Sequence, residues 1–279
     1  MELIEPEVEL LSELDITQES HIARCARVCY GREHKEPNQE ADKKLAEGLI
    51  KRGHLSMLRH ASMYLSNIKD ISQFATHIAN SCYWNYDVLC GYASTNLQEF
   101  MQSGVEKETV TVIDNKQFLE DCAKHPRLFE LYRLTFCITT QISTSRELNR
   151  VSPNNIAERS TRFCSAKGGL AICRPWWIKS PIEDAVSALS YYNLACEAEK
   201  TYMTLLLRGM KPEDARGVLP LDTATKVIYT YSVQEWQHIL DLRLYDKTGK
   251  AHPNCHVVMQ MVKDKINSFA NEHNIDYQV

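Results

Sequence analysis

None of the ten cysteines stands in a CxxC pair, and most sit inside apolar runs. A disulfide framework suits a short secreted chain, so they read as reduced thiols of an intracellular protein. No apolar run is long enough to span a bilayer and no charged-then-apolar leader opens the chain. The expectation is a soluble, cytoplasmic protein with no membrane partner. Excess positive charge is missing too: the formal net charge is −4 and the pI about 6.2. A nucleic-acid polymer needs a basic face, so that partner class drops out while a small anionic ligand stays open. Repeats, low-complexity tracts and linkers are absent, which leaves residues 1–279 as a single expected domain.

What is present is an ordinary core, with 44% hydrophobic residues, and readable periodicity. VELLSEL (8–14) alternates like a short strand, and a helical pattern runs from Thr17 to Tyr30. A second amphipathic helix is expected over 38–52, stopped by Gly53. Residues 60–68 read as a strand, followed by a mixed region to about 130 in which SGVEKETVTVIDN looks like a surface excursion. LTFCITT (134–140) is β-branched and aromatic, hence a strand. Further helices are expected over 182–209, over 211–216 behind Pro212 at the first turn, and over 233–243 and 254–270, with a strand at 225–232. The fold class is α+β: helices packed on a mainly antiparallel sheet.

Charge concentrates in SRELNRVSPNNIAERSTRF (145–163), which holds four arginines around a Pro-Asn-Asn break. Arg146 and Arg150 are four apart and share a helix face. Glu158, Ser160 and Arg162 alternate as on one face of an extended segment. Arg216, His238 and Arg243 follow later. The arginine fork gives a phosphate two parallel charge-assisted hydrogen bonds, so arginines converging on one cavity would call for an anion. Scattered surface ion pairs remain the plainer reading, because spacing alone cannot show convergence.

Three blocks in order resemble the flavin-dependent thymidylate synthases: GHLSMLRHASMYL (53–65), the charged stretch itself, and DARGVLPLDTATKVIYTYSVQEWQHILDLR (214–243). The region at about 70–130 resembles the insertion of longer members. The resemblance implies a thymidylate-synthase-complementing-protein-like fold and a homotetramer whose active sites draw on several chains. It implies a dUMP site made of Glu147, Arg150, Glu158, Ser160, Arg162, Arg216 and Arg243, with Arg243 and Ser160 nearest the chemistry. It further implies methylation of dUMP to dTMP, with methylenetetrahydrofolate and NADPH as co-substrates and FAD as cofactor. His54, Ser56, Arg59 and His238 fall on the flavin side.

The departures from the family pattern are on that side. The Arg-His-Arg triplet reads Arg150, Val151, Ser152; a glutamate is replaced by Arg59; and the asparagine and arginine of the diphosphate side align with Ser232 and Gln234. Exchanging Arg for Gln removes a charged hydrogen bond worth about 1.5–3 kcal/mol. Two alternatives therefore stand beside reductive methylation. One is folate-dependent hydroxymethyl transfer, for which Cys164 is the nearest candidate nucleophile; the other is a non-catalytic nucleotide-binding protein. AHPNCH (251–256) groups His252, Cys255 and His256, but three ligands without a fourth are a weak metal signal, and no metal is expected. Trp176 and Trp177 read as core or interface aromatics.

Overall fold

The computed structural model describes residues 1–32, 38–151, 153, 155–162, 169–179 and 185–279, leaving aside the side chains of residues 71 and 107. Strands β1 (Glu2–Ile4) and β2 (Glu7–Leu10) lead into helices α1 (Gln18–Cys29) and α2 (Gln39–Lys51). Then come β3 (Ser62–Ser66), α3 (Ile71–Ile78), β4 (Asn85–Asp87), β5 (Tyr92–Asn96), α4 (Leu97–Gln102), β6 (Thr111–Ile113) and α5 (Asn115–Lys124). The chain continues through β7 (Arg133–Gln141), α6 (Ile142–Leu148), β8 (Ile156–Glu158), β9 (Ala171–Cys173) and α7 (Ala185–Leu207). It closes with α8 (Pro212–Ala215), β10 (Ala224–Ser232), α9 (Val233–Arg243) and α10 (Pro253–Glu272). Local chemistry sets the helix ends. Thr17 caps α1 by accepting from the Ser20 amide, Asn38 caps α2 by accepting from Ala41, and Gly53 takes φ 72 just past α2.

Strands β7 and β10 pair antiparallel over their full length, from Arg133 opposite Ser232 to Gln141 opposite Ala224, in a sheet ordered β2-β7-β10-β8. Side chains alternate across the sheet. Leu134, Phe136 and Ile138 enter the main core with Val258, Met259 and Val262 of α10, while Cys137 meets Cys25 and Val28 of α1 on the other face. Helices on both faces explain why LTFCITT shows no polar alternation. Truncating a fully buried ring such as Phe136 to alanine would cost about 3–5 kcal/mol.

The fold class is α+β, as the sequence indicates, but among the described residues the single sheet expected is two antiparallel sheets and a short parallel pair, β1 with β9. The second sheet is ordered β4-β5-β3-β6 and has its own core of Phe74, Ile78, Trp84 and Phe100. The presumed surface excursion at 103–115 contains β6, whose residues 111–113 pair with Tyr64–Ser66. So short an edge strand carries too little alternation to be read without its partner. The strand expected over 8–14 stops at Leu10, because Glu13 turns inward and accepts hydrogen bonds from the Ser62 amide (3.1 Å) and hydroxyl (2.7 Å). Among the described residues no helix is long and apolar enough to cross a membrane.

Candidate functional site

Strand β7 turns directly into α6, and Gln141 fixes the turn. Its Nε2 donates to the carbonyls of Cys173 (3.3 Å) and Arg174 (3.1 Å), and its Oε1 accepts from Thr144 (2.9 Å). Thr144, Ser145 and Leu148 bury one face of α6, which leaves Arg146 exposed on another. Strand β8, held in register by β10, ends at Glu158, and Arg216 opens a 3₁₀ turn after α8. Between them lies a cleft of about 660 Å³. Arg146, Glu158, Arg159, Ser160 and Arg216 supply its polar side, and Ile142 with Leu219–Leu221 the apolar one.

Its electrostatics are lopsided. Among the described residues Glu158 is the one carboxylate lining the cleft, and it accepts from Ser145 Oγ (2.8 Å), Asn149 Nδ2 (3.3 Å) and Thr225 Oγ1 (3.2 Å). Arg216 donates to Thr161 Oγ1 (2.9 Å) and to the Glu213 carbonyl (3.1 Å), and neither it nor Arg146 pairs with a carboxylate among the described residues. Among the described residues, the Arg146 and Arg216 guanidinium groups thus line the cleft with one already engaged carboxylate, in a chain of net charge −4. Such a local excess draws an anion, and arginine forks match the oxygens of a phosphate.

Of the residues expected at a nucleotide site, Glu158, Ser160 and Arg216 come together here. The extended face expected to carry Arg162 beside them ends at Glu158; the chain then turns, and Arg162 is exposed and paired with Glu213 at 3.1 Å. Arg150 is exposed, two residues past the end of α6, and does not line the cleft. Arg243 is half-buried and donates through Nε (3.3 Å) and Nη2 (3.2 Å) to the Glu147 carbonyl, while Glu147 Oε1 accepts from the His252 amide at 3.3 Å. Arg243 and Glu147 therefore brace the end of α6 against the start of α10. Arg146, the other member of the four-residue pair, lines the cleft instead. Its signal, the four-residue spacing, was visible, but which of the two faced the cleft was not. Cys164 lies outside the described residues.

The flavin-side residues sit apart from this cleft. His54 and Ser56 are exposed at the start of the 3₁₀ turn Leu55–His60. Arg59 donates to Gln98 Oε1 at 2.9 Å and stands 4.9 Å from the Tyr83 ring centroid. His238 lines a separate cleft of about 220 Å³ with Tyr231, Gln234 and Glu235. That is below the ~300–1,000 Å³ of ordinary ligand pockets. The replaced positions are committed to structure: Val151 is 5% exposed in the main core, and Ser232 is fully buried in the capping box of α9. Within one chain these residues do not fit a flavin dinucleotide.

Two smaller expectations also meet the structure here. In AHPNCH, His252 Nδ1 accepts from the Asn254 amide, His256 Nε2 lies 2.9 Å from Asp246, and Cys255 is buried, with its thiol pushed well up by desolvation. Among the described residues no group of three histidine, cysteine or carboxylate side chains is placed to hold a metal ion. Trp176 and Trp177, expected in a core or interface, are 43% and 37% exposed on this chain.

Fold and cleft together define an α+β protein with an arginine-lined cleft where a central strand turns into a helix. The family model described as thymidylate synthase complementing protein matches residues 9–82 and 82–270. The chain belongs to that family. It is similar to a flavin-dependent thymidylate synthase of Synechocystis sp., at 28% identity over 148 residues that cover 49% of this chain and 69% of the relative. It is also similar to the crystal structure of a UMP/dUMP methylase, PolB, from Streptomyces cacaoi bound with 5-Br dUMP. There the TM-score is 0.46 and the identity 17%, over 97% of this chain and 93% of that one.

Proposed function

We propose that this protein binds a pyrimidine deoxynucleotide monophosphate, dUMP foremost, in the Arg146–Arg216 cleft and transfers a one-carbon unit from methylenetetrahydrofolate to C5 of the base. The observation that carries the reading is the convergence of Arg146 and Arg216 with Ser160 on one cleft where, among the described residues, the one carboxylate is already hydrogen-bonded. In this reading Arg146 and Arg216 hold the phosphate and the Ser160 hydroxyl adds a hydrogen bond. Glu158, kept in place by Ser145, Asn149 and Thr225, accepts from the sugar or base. The apolar wall at Leu219–Leu221 excludes water from one side of the ring. Such positioning converts an encounter into a bound reaction and is the protein's main contribution to rate.

Arg150, Arg162 and Arg243 would serve a site completed by another copy of the chain, within a homotetramer. Supporting association, Val186, Leu189, Leu194 and Leu207 of α7 are 61–85% exposed. Arg243 would then face the base of a nucleotide held by a neighbouring copy and stabilise negative charge developing on the ring. In the reductive form, which yields dTMP, FAD recharged by NADPH would supply the hydride. His54, Ser56, Arg59 and His238 of one chain do not gather into a flavin site.

A second reading, non-reductive hydroxymethyl transfer or nucleotide binding without turnover, is favoured by the commitment of Val151 and Ser232 to core and cap. Absorption spectra after incubation with FAD and desalting, combined with assays of dUMP, folate and NADPH turnover, separate the two. A bound flavin spectrum with dTMP formation supports the reductive form. A colourless protein that binds dUMP supports the second reading. Absence of dUMP binding removes both.

A further inference from the structure

Glu158 ends strand β8 and lines the Arg146–Arg216 cleft. An ionised carboxylate offers about four lone-pair sites. Ser145 Oγ and Thr225 Oγ1 donate to its Oε1 at 2.8 and 3.2 Å, and Asn149 Nδ2 donates to its Oε2 at 3.3 Å. Oε2 is therefore the oxygen with room for a donor from a ligand. Its direction is set by Asn149, the residue that caps the C-terminal end of α6.

Asn149 is itself held from behind. Tyr229 of β10 is 2% exposed in the main core, and its hydroxyl lies 2.7 Å from Asn149 Oδ1. Donor and acceptor chemistry allows one arrangement: a carboxylate only accepts, so the amide turns Nδ2 toward Glu158 and Oδ1 toward Tyr229, which must donate. Burial, reinforced by the Glu158 charge, pushes the Tyr229 phenol well above its usual range, so it keeps the proton it donates. The ring is fixed by packing against Tyr231, with centroids 6.2 Å apart, and against the edge of Trp236 at 6.4 Å. A hydrogen-bonded line thus runs from the rigid core through Asn149 to the cleft.

Resting on the nucleotide reading of this cleft, we infer that Tyr229 is a positioning residue: acting through Asn149, it aims Glu158 Oε2 at a hydrogen-bond donor of the sugar or base. It therefore sets affinity for the nucleoside part of the ligand and leaves the hold on the phosphate to the arginines. Arg216 bonds Thr161 and the Glu213 carbonyl, away from this line. Tyr229→Phe removes the hydroxyl and keeps the ring packing, which isolates the hydrogen bond from the core.

The test is calorimetric titration of dUMP, and of inorganic phosphate, into the full chain and its Tyr229→Phe, Asn149→Ala and doubly substituted variants, each checked for folding by circular dichroism. Tyr229→Phe and Asn149→Ala should each weaken dUMP by about tenfold, the order of one hydrogen bond, with phosphate affinity unchanged. The double variant should bind dUMP no more weakly than Asn149→Ala alone, because the tyrosine acts through the asparagine. Unchanged dUMP affinity in Tyr229→Phe overturns the inference while leaving the nucleotide reading in place, and no dUMP binding to the wild type overturns both. Equal weakening of phosphate reduces Tyr229 to general support of the cleft, and additive losses in the double variant exclude action through Asn149; either result overturns the inference.

Discussion

Arg216 is exposed on a short turn, where its side chain holds only the Thr161 hydroxyl and the Glu213 carbonyl, so its loss separates binding from folding. Arg216→Ala should weaken dUMP by about 1.5–3 kcal/mol, roughly tenfold to over a hundredfold, with an unchanged circular dichroism spectrum. Equal affinity would show that this arginine meets no phosphate. The cysteines allow a second check. Cys82 and Cys90 are exposed, whereas Cys25, Cys122 and Cys255 are buried, and burial pushes the Cys173 thiol up to about 12. Iodoacetamide should label Cys82 and Cys90 of the folded protein well before those four, as read by peptide mass spectrometry, because the thiolate is the reactive form. At this scale the sequence was only partly legible. The four-residue spacing marked Arg146 and Arg150 as a pair, but it took the end of α6 at Leu148 to decide which of them reaches the cleft. The role of Arg243 depends on the carbonyl of Glu147, a contact across 96 residues that no local pattern announces.

Helices and central strands were the most legible elements, since their signals are local: a Thr17 or Asn38 cap, a glycine at Gly53 or Gly209, a β-branched run in β7 and β10. The second sheet was not legible, because β4, β5 and β6 exist only through pairing with β3 and with one another. Ser232 illustrates both sides. It reads as a lost cofactor residue in the family pattern, yet in the fold it accepts from the Glu235 amide while the Glu235 carboxylate accepts from the Ser232 amide. Ser232→Ala should therefore lower stability by about 0.5–2 kcal/mol in urea unfolding, with no change in dUMP affinity. Val151→His, the change toward the family triplet, should destabilise by burying a polar ring in the main core rather than create flavin binding. A stable variant that turns yellow with FAD would contradict that assignment.

Taken whole, the molecule has a buried polar network between its sheets and α1. His60 Nδ1 meets Thr230 Oγ1 at 2.8 Å, and Thr230 meets Thr135 at 2.8 Å. His21 lies 3.3 Å from Thr135, 2.6 Å from Arg24 and 3.7 Å from Glu13, and Arg133 lies 3.5 Å from Glu235. Desolvation, with neighbouring positive charge, lowers His60 from 6.5 to about 3 and lowers His21 well below 6.5. Both folded-state values lie below the unfolded one, so these histidines favour the fold fully above pH 6.5, and that contribution is lost as pH falls toward 3. Each contributes a slope of about 1.4 kcal/mol per pH unit across its window. Glu13 works in the opposite sense: burial raises it, so its contribution is present below 4.5 and lost as pH rises. With two histidines against one carboxyl, the urea midpoint should drop between about pH 6.5 and pH 5, and His60→Gln should flatten that drop. A profile as steep in the variant would place the titrating group elsewhere. Assembly belongs to this scale as well. If sites are shared, co-expressed Arg216→Ala and Arg243→Ala chains should recover turnover that each lacks alone, and no recovery would confine each site to one chain. The central claim, a pyrimidine nucleotide held by the Arg146–Arg216 cleft, is tested most directly by calorimetric titration of dUMP into the wild-type protein and the Arg146→Ala/Arg216→Ala double variant. The account predicts saturable binding to the wild type and none to the folded double variant; equal affinity in the two, or no binding to the wild type, would contradict it.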